Sequence, residues 1–160
     1  MNKDSKVEKN CFIWTRVSTK YQEDNGGSLD DQRCKCEKYA KEHNFNIVGY
    51  FGGKHESAKT PGPLIREMIK AIAKNHSVTY ILVSQADRFS RNAGQGINIL
   101  NDLIAHNTIV IEVTTGLDTS TPEGLLMINT KMCMSQWDNT NRVNKIISGR
   151  KHSMEIEVFT

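Results

Sequence analysis

The sequence predicts an α/β fold: a three-layer sandwich around a mostly parallel sheet of four to five strands, order 2-1-3-4, with a long C-terminal helix projecting from it. Three observations carry this. Short apolar runs rich in β-branched and aromatic residues recur at 11–17 (CFIWTRV), 46–51 (NIVGYF), 78–86 (VTYILVSQA) and 108–114 (TIVIEVT). Helix-period segments separate them, and strands alternating with helices imply parallel pairing through right-handed crossovers, with helices on both faces. After Thr121 the pattern stays helical to about His152, longer than a small sheet can cover.

Each element has a local cause. After the first strand comes a turn-rich stretch, Asp24-Asn25-Gly26-Gly27. Ser28 is then the expected helix cap, with Asp30 and Asp31 in the first turn, where carboxylates favour the helix dipole. Leu29, Cys36, Tyr39 and Ala40 supply that helix with an inner face. The second strand is stopped by Gly52-Gly53, and Pro61-Gly62-Pro63 closes the next loop. Apolar residues at 64, 65, 68, 69 and 72 then follow the helical period. The polar stretch 87–92 leads into a helix with Ile97, Leu100, Leu103 and Ile104 inward. Thr121-Pro122-Glu123 is a helix start with cap, first-turn proline and first-turn acid in order. The first half of that last helix is expected to pack on the core. Its second half, with Val143, Ile146 and Ile147, asks for another subunit or ligand.

The chain of 160 residues is the size of one domain and buries roughly 70% of its unfolded surface without a staple. It divides into a polar tail (1–10), a core (11–120), the long helix (121–152) and a C-terminal tail (153–160). No run approaches the length of a membrane span, and the polar start is no signal peptide. Cysteines at 11, 34, 36 and 133 lack zinc-site spacing and read as free thiols in a reducing cytoplasm. The formal charge is +3, yet between Asp138 and Glu155 the only charged residues are Arg142, Lys145, Arg150 and Lys151. The rest of the chain is therefore slightly negative. These four residues are either a solvated helix face or a contact for a polyanion.

In an open parallel sheet, function collects at the C-terminal strand ends beside the switch in strand order. With order 2-1-3-4, the end of the first strand (Arg16, Ser18) meets the end of the third (Asp87, Arg88, Arg91). Guanidiniums gathered in one crevice suit a phosphate, since arginine stays charged and presents planar forks. No glycine-rich phosphate loop and no metal-spaced cluster is present, so neither a nucleotide nor a metal is expected. Ser18 is a candidate nucleophile at phosphorus. Asp87 either moves a proton or orients Arg88 or Arg91.

Trp14-Thr15-Arg16-Val17-Ser18-Thr19, Gln22, Ser28-Leu29-Asp30-Asp31-Gln32, Glu56-Ser57-Ala58-Lys59 and Asp87-Arg88-Phe89-Ser90-Arg91-Asn92, with Ser148-Gly149-Arg150 near the end, resemble the catalytic domain of serine recombinases, the resolvase/invertase family. The resemblance spans about residues 11–152. It implies site-specific DNA recombination: Ser18 attacks a phosphodiester of double-stranded DNA, forming a 5′-phosphoserine and releasing a 3′-hydroxyl. It implies that Arg16, Arg88 and Arg91 activate that phosphate and that Asp87 serves proton transfer or arginine positioning. Gln22, Gln32 and Ser57 match supporting positions. No cofactor is implied. Homodimers that pair into tetramers are, with the long helix as interface and Arg142, Lys145, Arg150 and Lys151 passing along DNA. The location implied is the cytoplasm, on the nucleoid.

Two departures qualify the match. The family usually places another arginine in the loop before the second helix; here Pro63 stands where it is common, and Lys59 and Arg66 are the candidate substitutes. The family also continues into a DNA-binding domain, so the tail at 153–160 is expected to lead to one absent here, the chain being either cut or a remnant. The alternatives are a catalytically impaired relative serving as a DNA-associated dimerisation module, or an unrelated phosphate-binding domain of flavodoxin-like shape.

Overall fold

A computed structural model describes residues 8–16, 28–53, 62–90 and 92–158. The elements run β1 (Asn10–Thr15), α1 (Leu29–Glu42), β2 (Asn46–Gly52), α2 (Pro63–Lys74), β3 (Val78–Val83), α3 (Ala93–Ala105), β4 (Ile109–Glu112), β5 (Leu117–Asp118) and α4 (Pro122–Val158). The sheet order is β2-β1-β3-β4-β5, parallel except for the antiparallel β4–β5 pair. This is the expected α/β sheet with the expected order. The fifth strand follows from a tight turn at 113–116, closed by the Gly116 N–H on the Glu112 carbonyl.

Side-chain alternation along the central strands makes two cores and three layers. Cys11, Ile13, Leu82 and Ile111 face α1, where Cys36 and Ala40 meet them. Phe12, Trp14, Ile81, Val83 and Val110 point the other way, onto Ile65, Met68 and Ile72 of α2, Leu100 and Leu103 of α3, and Ile128 and Met132 of α4. All but the edge strands are thus buried on both sides, which is why their sequences read as continuous apolar runs.

The helix starts form as local chemistry dictates. The Ser28 hydroxyl accepts the Asp31 N–H at 3.1 Å. Pro63 opens α2 at a position whose N–H would have no helical partner. Asn92 caps α3 through the Gln95 N–H at 3.0 Å. The Thr121 hydroxyl accepts the Gly124 N–H at 3.1 Å. Two glycines are geometrically required. Gly52 ends β2 at φ +93°, and a Cβ there would lie 1.9 Å from the Thr15 carbonyl oxygen. A Cβ on Gly124 would lie 2.1 Å from the Asp118 carbonyl oxygen, so only glycine lets α4 start against β5.

Three expectations are corrected. The strands are shorter than the apolar runs: the third ends at Val83 and a 3-10 turn takes Ala86–Arg88. The run counted Ser84 and Ala86, which remain buried but have left the ladder. Helix α4 continues past the expected end near His152 to Val158, because no proline or left-handed cap stops it. The first half of α4 is not simply core. Gly124, Ile128 and Met132 are buried, but Leu126, Met127, Met134 and Trp137 lie on the opposite side and are exposed.

Candidate functional site at the ends of strands one and three

Strand alternation places Trp14 and Arg16 on the same face of β1, looking toward the turn that follows β3. Both side chains end on one acceptor. The Arg88 carbonyl oxygen receives the Trp14 indole N–H at 2.9 Å and the Arg16 Nε–H at 2.7 Å, filling its two lone pairs. Arg16 Nη2 donates to the Asp87 carbonyl at 3.0 Å. The indole also stacks on Phe89, with ring centroids 6.2 Å apart. Arg16 is only 5% exposed, so these contacts form in a site with little water. Carbonyl dipoles of the turn thus hold the Arg16 guanidinium.

Gln32 of α1 closes the other side. Its Oε1 accepts the Arg16 backbone N–H at 3.1 Å and its Nε2 donates to the Arg16 carbonyl at 3.0 Å. This pair reproduces one rung of a parallel ladder with a side chain. It pins the chain where β1 ends and where the sequence passes toward Ser18.

Arg88 lies across the turn. Its Nη2 donates to Gln85 Oε1 at 3.3 Å, and its Nε sits 3.8 Å from Asp87 Oδ1, an ion pair too long for a hydrogen bond. Both of those atoms are buried without a hydrogen-bond partner among the described residues. Among the described residues a guanidinium donor is thus left unmatched at the strand end. Asp87 Oδ2 accepts the Ser135 hydroxyl of α4 at 3.3 Å. Asp87, Gln85 and Ser135 line a cleft of roughly 300 Å³ between the turn and α4.

The structure thus brings Arg16, Gln32, Asp87 and Arg88 together. Ser18, Gln22, Ser57, Lys59 and Arg91 lie outside the described residues. Arg66 is exposed on α2, on the side away from the buried Ile65, Met68 and Ile72, and reads as a surface residue. Arg142, Lys145, Arg150 and Lys151 are all exposed along the free part of α4.

Sequence reasoning missed a second set of residues. Glu112, 1% exposed, accepts the Ala86 N–H at 2.8 Å and pairs with Lys131 of α4. Gln136 Oε1 accepts the Ala93 N–H at 2.6 Å. The signal available for Glu112 was a lone acid inside an apolar strand, a position charges avoid unless paired.

The open parallel sheet carries at its switch point a buried arginine anchored on backbone carbonyls beside an aspartate–arginine turn, the architecture of an α/β domain with its candidate site at the strand ends. The sequence profile described as Resolvase, N terminal domain, matches residues 11–156, and the chain belongs to that family. Among solved structures, the N-terminal catalytic domain of TP901-1 integrase superposes with a TM-score of 0.66 at 24% identity, over 84% of this chain and 99% of that one. A resolvase family site-specific recombinase from Streptococcus pneumoniae gives 0.63 at 24% identity, over 92% and 99%. The C-terminal catalytic domain of ISC1926 TnpA, an IS607-like serine recombinase, gives 0.56 at 16% identity, over 87% and 99%. At such identities the likeness is one of fold. No match was found among the curated proteins.

Proposed function

We propose that the chain recombines DNA by covalent catalysis, with Ser18 as the nucleophile. Membership in the resolvase N-terminal domain family makes it a recombinase catalytic domain acting on DNA. The observation that supports the residue roles is the junction of Arg16 with the Asp87–Arg88 turn. Ser18 follows Arg16 by two positions in the sequence, and Arg16 is anchored to the turn that carries Asp87 and Arg88.

In this reading the Ser18 Oγ attacks the phosphorus, the P–O3′ bond breaks, and the 3′-hydroxyl leaves with a proton. Arg88 and Arg91 bind the non-bridging oxygens and offset charge that grows in the transition state. Arg16 acts chiefly by holding the turn. Asp87, flanked by Arg88 and Ser135, orients Arg88 and carries the proton to the leaving oxygen. The phosphoserine ester keeps the bond free energy, so the 3′-hydroxyl of another strand reverses the step and rejoins the DNA. Gln22, Ser57 and Lys59 are assigned supporting contacts. The exposed basic residues of α4 track the DNA backbone, and the chain works as dimers paired into tetramers, on the nucleoid in the cytoplasm.

The test is covalent capture. The chain is incubated with a pool of labelled duplexes, and protein-linked DNA is resolved on denaturing gels and mapped by mass spectrometry. The expected adduct is a phosphoester at Ser18, absent in Ser18→Ala, while duplex binding by that variant stays near wild type. Normal adduct formation by Ser18→Ala overturns the assignment.

A further inference from the structure

We propose that Glu112 and Lys131 are positioning residues that set the geometry of the Asp87–Arg88 turn by fixing its first N–H against α4. The inference rests on the recombinase reading for its consequence in catalysis, and on geometry alone for the placement.

Glu112 ends β4 with its side chain on the face of Val110, toward α4. Its Oε2 accepts the Ala86 N–H at 2.8 Å. Its Oε1 accepts the Thr115 hydroxyl at 2.8 Å and pairs with the Lys131 ammonium. Ala86 opens the 3-10 turn whose next two carbonyls hold Arg16 and Trp14. One carboxylate therefore determines where that turn begins. On the neighbouring turn of α4, Ser135 reaches Asp87, and Gln136 takes the Ala93 N–H at the start of α3. Helix α4 thus grips both ends of the segment carrying Asp87 and Arg88.

The chemistry argues for positioning beyond mere stability. A buried ion pair is seldom more stabilising than an apolar pair of the same volume, because two charges must be desolvated. What it supplies is direction: a carboxylate with two acceptors at fixed angles ties a backbone N–H of one segment to a side chain of another. Lys131, partly exposed, completes this from the wall of the cleft that it shares with Asp87 and Ser135.

The test uses the full chain and three variants: Glu112→Ala, Glu112→Gln and Lys131→Met. Amide hydrogen exchange by NMR reads the turn without reference to turnover. Glu112→Ala is expected to speed exchange at Ala86, Arg88 and Phe89 at least tenfold while amides of β1 and β3 stay protected, and Lys131→Met is expected to do so less. Glu112→Gln, which keeps an acceptor for the Ala86 N–H, restores most of the protection. In covalent capture under single-turnover conditions, Glu112→Ala lowers the rate at saturating DNA at least tenfold with the half-saturating DNA concentration unchanged, and Glu112→Gln recovers most of it.

Unchanged exchange at Ala86 overturns the placement. Faster exchange with an unchanged adduct rate overturns the positioning role. Should wild type form no adduct, the recombinase reading fails by itself, and the exchange pattern of the three variants decides whether Glu112 holds the turn. If Glu112→Ala exposes amides throughout the sheet, Glu112→Gln carries the comparison, and a Gln variant as deprotected at the turn as Ala overturns the proposal.

Discussion

The Arg16 Nε–H donates to the Arg88 carbonyl at 2.7 Å, joining the end of β1 to the turn after β3 across 72 sequence positions. Replacing Arg16 by Met removes this bond and the one to the Asp87 carbonyl, leaving buried acceptors short of donors. Each such loss costs about 1–3 kcal/mol. Arg16→Met is therefore expected to lower the free energy of unfolding by about 2–4 kcal/mol in urea titration and to abolish adduct formation. Arg16→Lys reaches one carbonyl and recovers half of the stability at most. Equal stability of wild type and Met variant would show that the carbonyl contacts carry no weight.

Gln32 makes the converse prediction. Its amide satisfies both the N–H and the carbonyl of Arg16. Gln32→Leu removes both bonds in a buried site and is expected to cost about 2–4 kcal/mol. Gln32→Glu adds a pH signature. The protonated acid can donate to the Arg16 carbonyl, whereas the buried carboxylate cannot, so its folded pKa rises above the unfolded value of about 4.3. The stabilisation is then complete below that value and is lost as pH rises through the folded pKa. The stability of Gln32→Glu relative to wild type, measured by thermal melts from acid to neutral pH, falls with rising pH. A flat difference rejects the two-sided contact.

The same two examples show what the sequence makes legible. Strand runs, the Ser28 and Thr121 caps and Pro63 depend on neighbours in the chain, and each stands where local chemistry puts it. The meeting of Arg16 with Asp87 and Arg88 was readable because strand order alone brings two strand ends together. The Glu112–Lys131 pair was not, since it depends on how α4 crosses β4, an angle set by side-chain packing around Gly124, Ile128 and Met132. The split of α4 into two apolar faces was hidden for a related reason. A helix rich in apolar residues on every side shows no single stripe until its buried side is known.

The thiols divide by burial. Burial pushes Cys11 up to about 11 and, with Cys11 and Glu37 nearby, Cys36 up to about 12. Cys34 and Cys133 are exposed. Since the thiolate is the reactive form, under about one in a thousand of the Cys11 and Cys36 side chains is reactive at pH 8. A chromogenic disulfide reagent is expected to titrate two thiols at once in the folded chain and the other two only after denaturation. Four thiols of similar rate would contradict the α1-side core.

Beyond the core, α4 exposes two separate apolar surfaces, and self-association should depend on them differently. At about 100° per residue, Val143 follows Met132 by three turns and Ile146 follows Ile128 by five, so the distal pair continues the buried side of the helix past the end of the domain. Leu126, Met134 and Trp137 line the opposite side, where Trp137 is 65% exposed. The distal stripe is a core surface lacking its other half, and a second copy of the helix can supply it. Sedimentation is expected to show a concentration-dependent dimer that Val143→Asp with Ile146→Asp converts to monomer. Neither residue touches the core of its own chain, so the folding transition should move little. If Leu126→Asp with Trp137→Asp dissociates the dimer and the distal pair does not, the interface lies on the outer face. A chain that stays monomeric at high concentration would remove the helix as a self-association surface in this protein.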